Sequence, residues 1–501
     1  MPLLPVLSLP ALPLPILPLP LDRAGAVTLQ EQIYQALKSR IVAGALPAGT
    51  RLAATREAAR ALGVSRNTVI LAYERLASEG YVEVRAHAGA FVARLLLDPR
   101  PPPTTLPAPL QFEDDPPPAV NGPHLITRDA TRPVFDLWYA RPDPRLFPAA
   151  QWRRLGNAAL GACAVGLSAY GPVGGDPRLR RAIATHIAVH RGIAVQPEQV
   201  VVTSGAQDAL NLISRLFLTP GDRVVVEDPG YAAAAQVFEA HGARLHPVPV
   251  DAEGLDAAGV ERLGPRLVYV TPARQFPTGA RMSPARRTAL LAACAACGSL
   301  IVEDDYDGEI VFDRPPPAAL ATGEGRERTL FVGSFSKTLG SGLRLGYMVV
   351  PLRFAAAAEA TKSLMSYGQS WLDQQILAAF LEGGHYQRHL NRLRTAYRAR
   401  RDAALAGLRH IFGDRLAVPA TDGGLHLCCV LPDDGPDASS VAAAARAVGV
   451  GLHPAAECGV RSAGATLART LLVGFGALTP DELALAFTRI GQSLEARRAG
   501  N

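Results

Sequence analysis

The sequence predicts an α/β body preceded by a small helical unit with a different pattern. Three observations carry this expectation. Five short aliphatic runs, Val200–Thr203, Arg223–Glu227, Leu267–Val270, Leu300–Glu303 and Leu330–Gly333, alternate with helix-forming stretches, as in a mostly parallel, buried sheet. Upstream, Leu29, Ile33, Leu37 and Ile41 recur at helical spacing. Between the two patterns, nine of the twenty residues from Pro99 to Pro118 are proline, which makes an extended, semi-stiff linker.

At 501 residues the chain exceeds what one hydrophobic core organises, so two or three domains are expected. With 48% hydrophobic and 19% charged residues it reads as globular rather than disordered. The net charge of +6 is small for this length, so where the charge lies matters more than its total. Six cysteines, two of them adjacent at Cys428-Cys429, make no disulfide framework, and a reducing cytoplasm is expected. Cys294 and Cys297 sit in the Ala-rich run from Arg286 to Cys297, which reads as small apolar filler on a buried helix face rather than a redox or metal motif.

The first element in order is residues 1–21, a Leu-Pro repeat. Regular prolines exclude a membrane helix, and neither a basic start nor a small-residue cleavage site marks a signal peptide. A polyproline-like tail is expected, with an alternative translation start near Leu21 or Val27, since the next methionine after Met1 is Met282. Residues 22–94 follow. Gly44 ends the first helix, a second covers Arg56 to Leu62, and Gly63 turns the chain. Ser65 is positioned to cap a third helix that runs to about Gly80, with Val69, Tyr73 and Leu76 facing inward. Tyr81–Val84 and Ala90–Ala93 read as strands joined by Arg85-Ala86-His87-Ala88-Gly89. Three helices and a two-stranded wing describe a winged helix-turn-helix.

The segment Ala61-Leu62-Gly63-Val64-Ser65-Arg66-Asn67-Thr68-Val69, with Tyr73, Leu76 and Gly80-Tyr81-Val82, closely resembles the GntR family of DNA-binding domains. Within residues 22–94, ten Lys and Arg face six Asp and Glu, so this unit holds +4 of the total charge. The resemblance implies double-stranded operator DNA as a partner, with Arg56, Ser65, Arg66, Asn67, Thr68 and His87 as contact residues. The family's Gly-Ser-Gly-Thr-Phe-Val wing reads Ala88-Gly89-Ala90-Phe91-Val92 here, so wing hydroxyls are lost, with His87 and Arg85 as candidate replacements for their phosphate contacts.

Residues 95–131 are the linker, and 132–495 the body. Ligands belong at the carboxyl ends of its strands. After the first run, Ser204-Gly205-Ala206-Gln207 opens a helix from Asp208 to Phe217, a turn suited to phosphate. After the second, Glu227-Asp228-Pro229-Gly230-Tyr231 offers an aromatic for stacking. Glu303-Asp304-Asp305-Tyr306 ends the fourth with carboxylates and a phenol; a protonated ring nitrogen, a metal ion or a solvated loop each accounts for it. Ser334-Phe335-Ser336-Lys337, with Arg344 beyond, sets an amine beside hydroxyls and a guanidinium, which suits the aldehyde and phosphate of pyridoxal 5'-phosphate.

From about Phe135 to Leu494 these sites, in this order, resemble the fold-type I aminotransferases, pyridoxal-phosphate-dependent transferases with a mostly parallel central sheet and a smaller α+β subdomain. The resemblance implies that Lys337 carries the Schiff base and Asp304 pairs with the ring nitrogen. Tyr306 is expected at the ring hydroxyl, Tyr231 stacked on the ring, and Ser204, Gly205, Ala206, Gln207, Ser334, Ser336 and Arg344 around the phosphate. It implies a homodimer in which Tyr170, within Tyr170-Gly171-Pro172-Val173-Gly174, reaches the phosphate of the neighbouring subunit.

Head, linker and body together resemble the MocR subfamily of GntR-type regulators, supported by Val270-Thr271-Pro272, Gln275-Phe276-Pro277-Thr278-Gly279 and Leu472-Val473-Gly474-Phe475-Gly476. That implies a regulator whose effector is pyridoxal phosphate, an amine or an amino acid, without a membrane or a metal. Three positions depart from the expected pattern. Thr-Pro-Ser-His-Gln becomes Thr271-Pro272-Ala273-Arg274-Gln275, Phe276 replaces an asparagine, and Leu472 stands where a substrate-carboxylate arginine is usual. Arg461 and Arg469 are candidate replacements. The alternative reading is an active aminotransferase with an accessory DNA-binding head, and the missing arginine counts against it.

Overall fold

The computed structural model describes residues 19–94, 133–162, 164–462 and 464–499. Most of the Leu-Pro tail and the whole linker lie outside the described residues. The chain divides into two compact units, Met1–Pro117 and Pro118–Asn501.

In the first unit, α1 (Leu29–Val42) buries Ile33, Tyr34 and Ile41 and is capped by Thr28, whose hydroxyl accepts from the Glu31 amide. α2 (Thr55–Leu62) stops at Gly63, left-handed at φ 62°, a conformation that suits a residue without Cβ. α3 (Arg66–Ser78) buries Val69, Ala72, Tyr73 and Leu76 against the other two helices. β1 (Val82–Arg85) begins and ends one residue later than the sequence suggested, and β2 (Gly89–Val92) one residue earlier. Their antiparallel register pairs Arg85 with Gly89, leaving a three-residue loop with His87 at its centre in the left-handed region.

The second unit is built on an eight-stranded sheet. Its order is Val200–Thr203, Gly346–Val349, Thr329–Ser334, Leu300–Asp305, Leu267–Val270, Arg223–Asp228, Arg244–Asp251 and Gly254–Leu255. All five expected strands are present. Gly346–Val349 runs antiparallel to both its neighbours, so the expected strands and Arg244–Asp251 all point the same way. Alternate residues of a strand enter different clusters, Val224 and Val226 on one side and Val225 on the other, because helices cover both faces. A smaller antiparallel sheet of His426–Val430, Thr470–Gly474 and His453–Pro454 forms the α+β portion with the helices Ala438–Ala447 and Pro480–Ala499. Helix Pro284–Cys297 buries Leu290, Ala293 and Cys294 but turns Ala292, Ala295 and Ala296 to solvent, so only one stripe of the Ala-rich run is core. No helix among the described residues is long and apolar enough to cross a membrane.

Candidate functional site

The shared carboxyl edge of the parallel strands gathers the chemistry-bearing side chains. Strand Val200–Thr203 ends in Ser204-Gly205, and Gly205 is the N-cap of helix Ala206–Phe217 with φ 112°. A Cβ there would lie 3.5 Å from both terminal nitrogens of Arg344, so the Arg344 guanidinium stands directly over this glycine. A Cβ on Gly346 would come within 2.7 Å of the Gly205 Cα, so two strand ends meet through glycines. The Ser204 hydroxyl donates to Gln369 at 2.8 Å, and its amide donates to Asp208 at 2.8 Å. Ser334 Oγ lies 2.9 Å from Ser336 Oγ and accepts from the Ser336 amide. These hydroxyls and the Arg344 guanidinium thus gather at the N-terminus of helix Ala206–Phe217, a setting that suits an anion.

Lys337 lines a cleft of about 1220 Å³ with Gln207, Tyr231, Tyr139 and Arg141. Burial pushes its amine below the ordinary value, opposed by the carboxylates of Asp307 and Asp304. Asp304 ends its strand with one oxygen, Oδ2, accepting from the Tyr269 hydroxyl at 2.8 Å. Its other oxygen, Oδ1, is buried without a partner, and so is the hydroxyl of Tyr306. Burial raises the Asp304 carboxyl to about 6, against the pull of the Tyr269 hydrogen bond. The phenol of Tyr306 is driven well above its usual value, again chiefly by burial.

The other two carboxylates of the cluster each engage a protein partner through one oxygen, while Glu303 Oε1 and Asp305 Oδ1 are also buried without one. Asp305 forms a 2.6 Å ion pair with Arg191, and Glu303 accepts from the Ala321 amide. Among the described residues no group of three or more His, Cys, Asp or Glu is arranged to hold a metal ion. The orphaned oxygens of Asp304 and Tyr306, beside an amine and a setting suited to an anion, fit a heteroaromatic ring carrying a nitrogen, a hydroxyl, an aldehyde and a phosphate.

Several residues of this neighbourhood were not singled out in the sequence. Tyr269 is one, although a phenol in an otherwise aliphatic buried strand was a signal. Glu227 is another: fully desolvated, its carboxyl rises to about 7 while it accepts from Thr271 and Gln275. Gln369, holding Ser204, had no local signature. The departures also take physical form. Phe276 packs its ring against Tyr139, Tyr231, Tyr306 and His426, at centroid distances of 5.5 to 6.2 Å. Leu472 is fully buried in that cluster with Cys428, Ala455, Cys458 and Val460. Arg274 donates to the His426 carbonyl and faces Asp307 at 3.5 Å. Neither candidate replacement reaches the cleft: Arg461 pairs with Glu239 at 2.9 Å, and Arg469 donates to the carbonyls of Leu431 and Gly435. Tyr170 lies outside the cleft. It is 86% exposed against Tyr367, in a separate hollow that also includes Gln369.

In the first unit, Arg56, Ser65, Arg66, Asn67 and His87 are exposed and Thr68 is half-buried. Ser65 caps α3 through the Thr68 amide at 3.1 Å and touches the Thr68 hydroxyl. Arg66 reaches Thr55, beside Arg56, at 3.4 Å, which joins the first turns of α2 and α3. Arg85 is stacked over Phe91 and paired with Glu83, whereas His87 is exposed at the centre of the wing loop.

Residues 29–92 match the family "Bacterial regulatory proteins, gntR family", and residues 154–471 match "Aminotransferase class I and II". A probable rhizopine catabolism regulatory protein, MocR of Rhizobium meliloti, is 36% identical over 81% of this chain and 82% of its own length. The HTH-type transcriptional regulator YhdI of Bacillus subtilis is 31% identical over 94% and 96%. Among solved structures, the α-aminoadipate aminotransferase LysN of Thermus thermophilus, complexed with N-(5'-phosphopyridoxyl)-L-leucine, superposes with a TM-score of 0.65 at 27% identity, covering 73% of this chain and 93% of that one. Both halves and their order recur in the regulators, and the body alone recurs in the aminotransferase. This chain therefore belongs to the MocR subfamily of GntR-type transcriptional regulators, in which a helix-turn-helix head is joined to a body of the aminotransferase class I and II fold.

Proposed function

We propose that the body of this regulator holds pyridoxal 5'-phosphate at Lys337, and that occupancy of the site by the cofactor or by a small amine or amino acid changes how the head binds operator DNA. The observation that carries this reading is the pair of orphaned oxygens on Asp304 and Tyr306 beside the Lys337 amine. When bound, the cofactor supplies an aldehyde that condenses with amines and a ring that withdraws electrons.

The roles of the protein groups then follow. Asp304 Oδ1 accepts the ring-nitrogen proton while Tyr269 fixes the other oxygen, which keeps the carboxylate oriented. Tyr306 meets the ring hydroxyl and Tyr231 covers the ring. The Ser204 to Gln207 turn, Ser334, Ser336 and Arg344 take the phosphate, and the lowered Lys337 amine is a better nucleophile for the aldehyde. Tyr170, exposed with Tyr367, is available to a second copy of the chain, consistent with a homodimer. In the head, Arg56, Arg66, Asn67 and His87 present exposed side chains to a duplex, while Ser65 and Thr68 act first as the cap of α3 and offer their remaining lone pairs and protons to phosphate.

Regulation is favoured over amino-group transfer because position 472 holds a leucine, buried with Phe276 in an apolar cluster, in place of a carboxylate-binding guanidinium, while Lys337 and Asp304 are retained. Visible absorbance of the lysine-bound cofactor, read together with gel-shift binding to the protein's own promoter fragment, tests the proposal. Lys337→Ala is expected to abolish the band and to remove the effect of added cofactor on DNA binding, with DNA affinity itself retained. An unchanged band would exclude Lys337 as the anchor, and transfer of an amino group to a 2-oxo acid at enzymic rates would favour the aminotransferase reading.

A further inference from the structure

The cleft at Lys337 has lost the expected guanidinium at residue 472, and the other cations near the site are engaged elsewhere. Arg274 is directed to His426, Asp307 and Asp422, Arg461 to Glu239, and Arg469 to main-chain carbonyls. One arginine does line the cleft with Lys337, Arg141. Its Nη1 donates to Asp136 Oδ2 at 2.7 Å, and Asp136 Oδ1 is held in turn by His453 Nε2 at 2.9 Å. The imidazole is braced by the edge-on ring of Trp138, 4.6 Å away. Arg141 Nη2, by contrast, is buried and has no partner. The preceding residue, Ala140, is left-handed at φ 56° without being glycine, a strained conformation that sets the direction in which Arg141 leaves the main chain.

A guanidinium anchored on one nitrogen, with the other desolvated and unmatched, is costly until an acceptor arrives. A planar cation fixed in this way is suited to a carboxylate or a comparable anion. Two acidic residues also line the cleft. Asp143 is already paired with Arg400 at 2.7 Å and with Arg145, and Glu457 is solvent-exposed, so neither supplies that acceptor. Tyr139, Phe147, Tyr231, Leu339, Leu343 and Leu393 make the remaining wall largely apolar.

We propose that Arg141 is the anion-binding group of the ligand cleft, so that the effector is a primary amine that also carries a carboxylate on an apolar frame. This rests on the reading of Lys337 as the cofactor anchor. Arg141 binds the ligand's anionic end through Nη2 while Asp136 and His453 hold the guanidinium plane, and the amine end engages the cofactor site. Arg141 thereby takes over, from a different element of the fold, the task that Leu472 cannot perform.

The test uses full-length protein loaded with pyridoxal phosphate and two matched pairs of probes, L-phenylalanine with 2-phenylethylamine and 5-aminopentanoate with butylamine. Displacement of the lysine-bound absorbance reports amine binding. In the wild type, one carboxylate-bearing probe is expected to bind about ten- to a hundredfold tighter than its decarboxylated partner. Arg141→Met is expected to bring that ratio to near unity, and Arg141→Lys to retain part of it. A ratio that survives in Arg141→Met, no preference for either carboxylate in the wild type, or no binding of any probe overturns the proposal. If Arg141→Met fails to fold, as judged by its melting curve, an undiminished ratio in Arg141→Lys does the same.

Failure of the cofactor reading is distinguishable, because then the wild type shows no lysine-bound band at all. In that event the melting of cofactor-free protein with 3-phenylpropanoate decides the matter for Arg141. The acid is expected to raise the melting temperature of the wild type and not of Arg141→Met, and equal behaviour of the two overturns the assignment.

Discussion

Asp304 shows how a single residue can lower stability until a ligand arrives. Its folded-state carboxyl titrates near 6, raised from 3.8 by burial. The folded protein therefore holds a proton that the unfolded chain releases, and the contribution of Asp304 to stability falls as pH rises from about 4 through 6. Asparagine at this position still accepts from Tyr269 but has no charge to desolvate. In cofactor-free protein, Asp304→Asn is thus expected to gain about 1–3 kcal/mol of stability at pH 8, with the gain vanishing near pH 4. The same substitution is expected to weaken cofactor binding at least tenfold, since the ring nitrogen loses its anionic partner. Denaturant melts at the two pH values, with and without pyridoxal phosphate, check both arms, and a destabilised cofactor-free variant at pH 8 would contradict the first. Asp304 could be picked out from the sequence because carboxylates closing an aliphatic strand are unusual. Tyr269 reaches Asp304 from 35 residues away, and His453 joins the Arg141–Asp136 pair from far along the chain, so no local pattern announced these pairings.

At the scale of elements, helix and strand signals were legible where side-chain period and punctuation agreed. α3 began at its Ser65 cap and the five Val-rich strands fell where expected, because burial on both faces demands continuous hydrocarbon. Arg244–Asp251 escaped notice because Pro247 and Pro249 argue against a strand, and it is tolerated near the end of the sheet, with only the two-residue Gly254–Leu255 beyond it. Gly346–Val349 was missed because it is short and directed against the parallel set. The exposed N-terminal turn of α3 is where sequence-specific contact is expected. Arg66→Ala should cost about 1–3 kcal/mol in promoter binding if the guanidinium reads a base. Only a weak 3.4 Å contact to Thr55 is lost within the protein, so the helix should melt unchanged. Equal affinity of mutant and wild type in a salt-matched binding assay would remove α3 from the interface.

At the scale of the whole molecule, the two units carry separate hydrophobic clusters: Ile33, Val69 and Leu76 center the head, whereas the body has its own, larger cores. Two calorimetric transitions are expected. Pyridoxal phosphate at a hundred times its dissociation constant should stabilise the larger by about 2.7 kcal/mol and leave the smaller in place. A single transition that moves as one with added cofactor would contradict separate cores.

The strand that runs against its neighbours has a consequence for what the site can tolerate. Lys337 and Arg344 lie on one connection between Thr329–Ser334 and Gly346–Val349, and the register Ser334 opposite Gly346 fixes both ends of that connection. The connection works like a caliper, with an amine on one jaw and a guanidinium on the other, and its opening is set by main-chain pairing at its ends and by the burial of Phe335, Leu339 and Leu345 between them. Lengthening the Thr338 to Leu343 stretch by one residue would shift a jaw by about 3.3 Å unless the extra residue bulged outward. Changes of length in this stretch are therefore expected to be tolerated poorly throughout, whereas changes of residue type are expected to be tolerated at exposed Ser341 and Gly342 and resisted at buried Thr338 and Leu339.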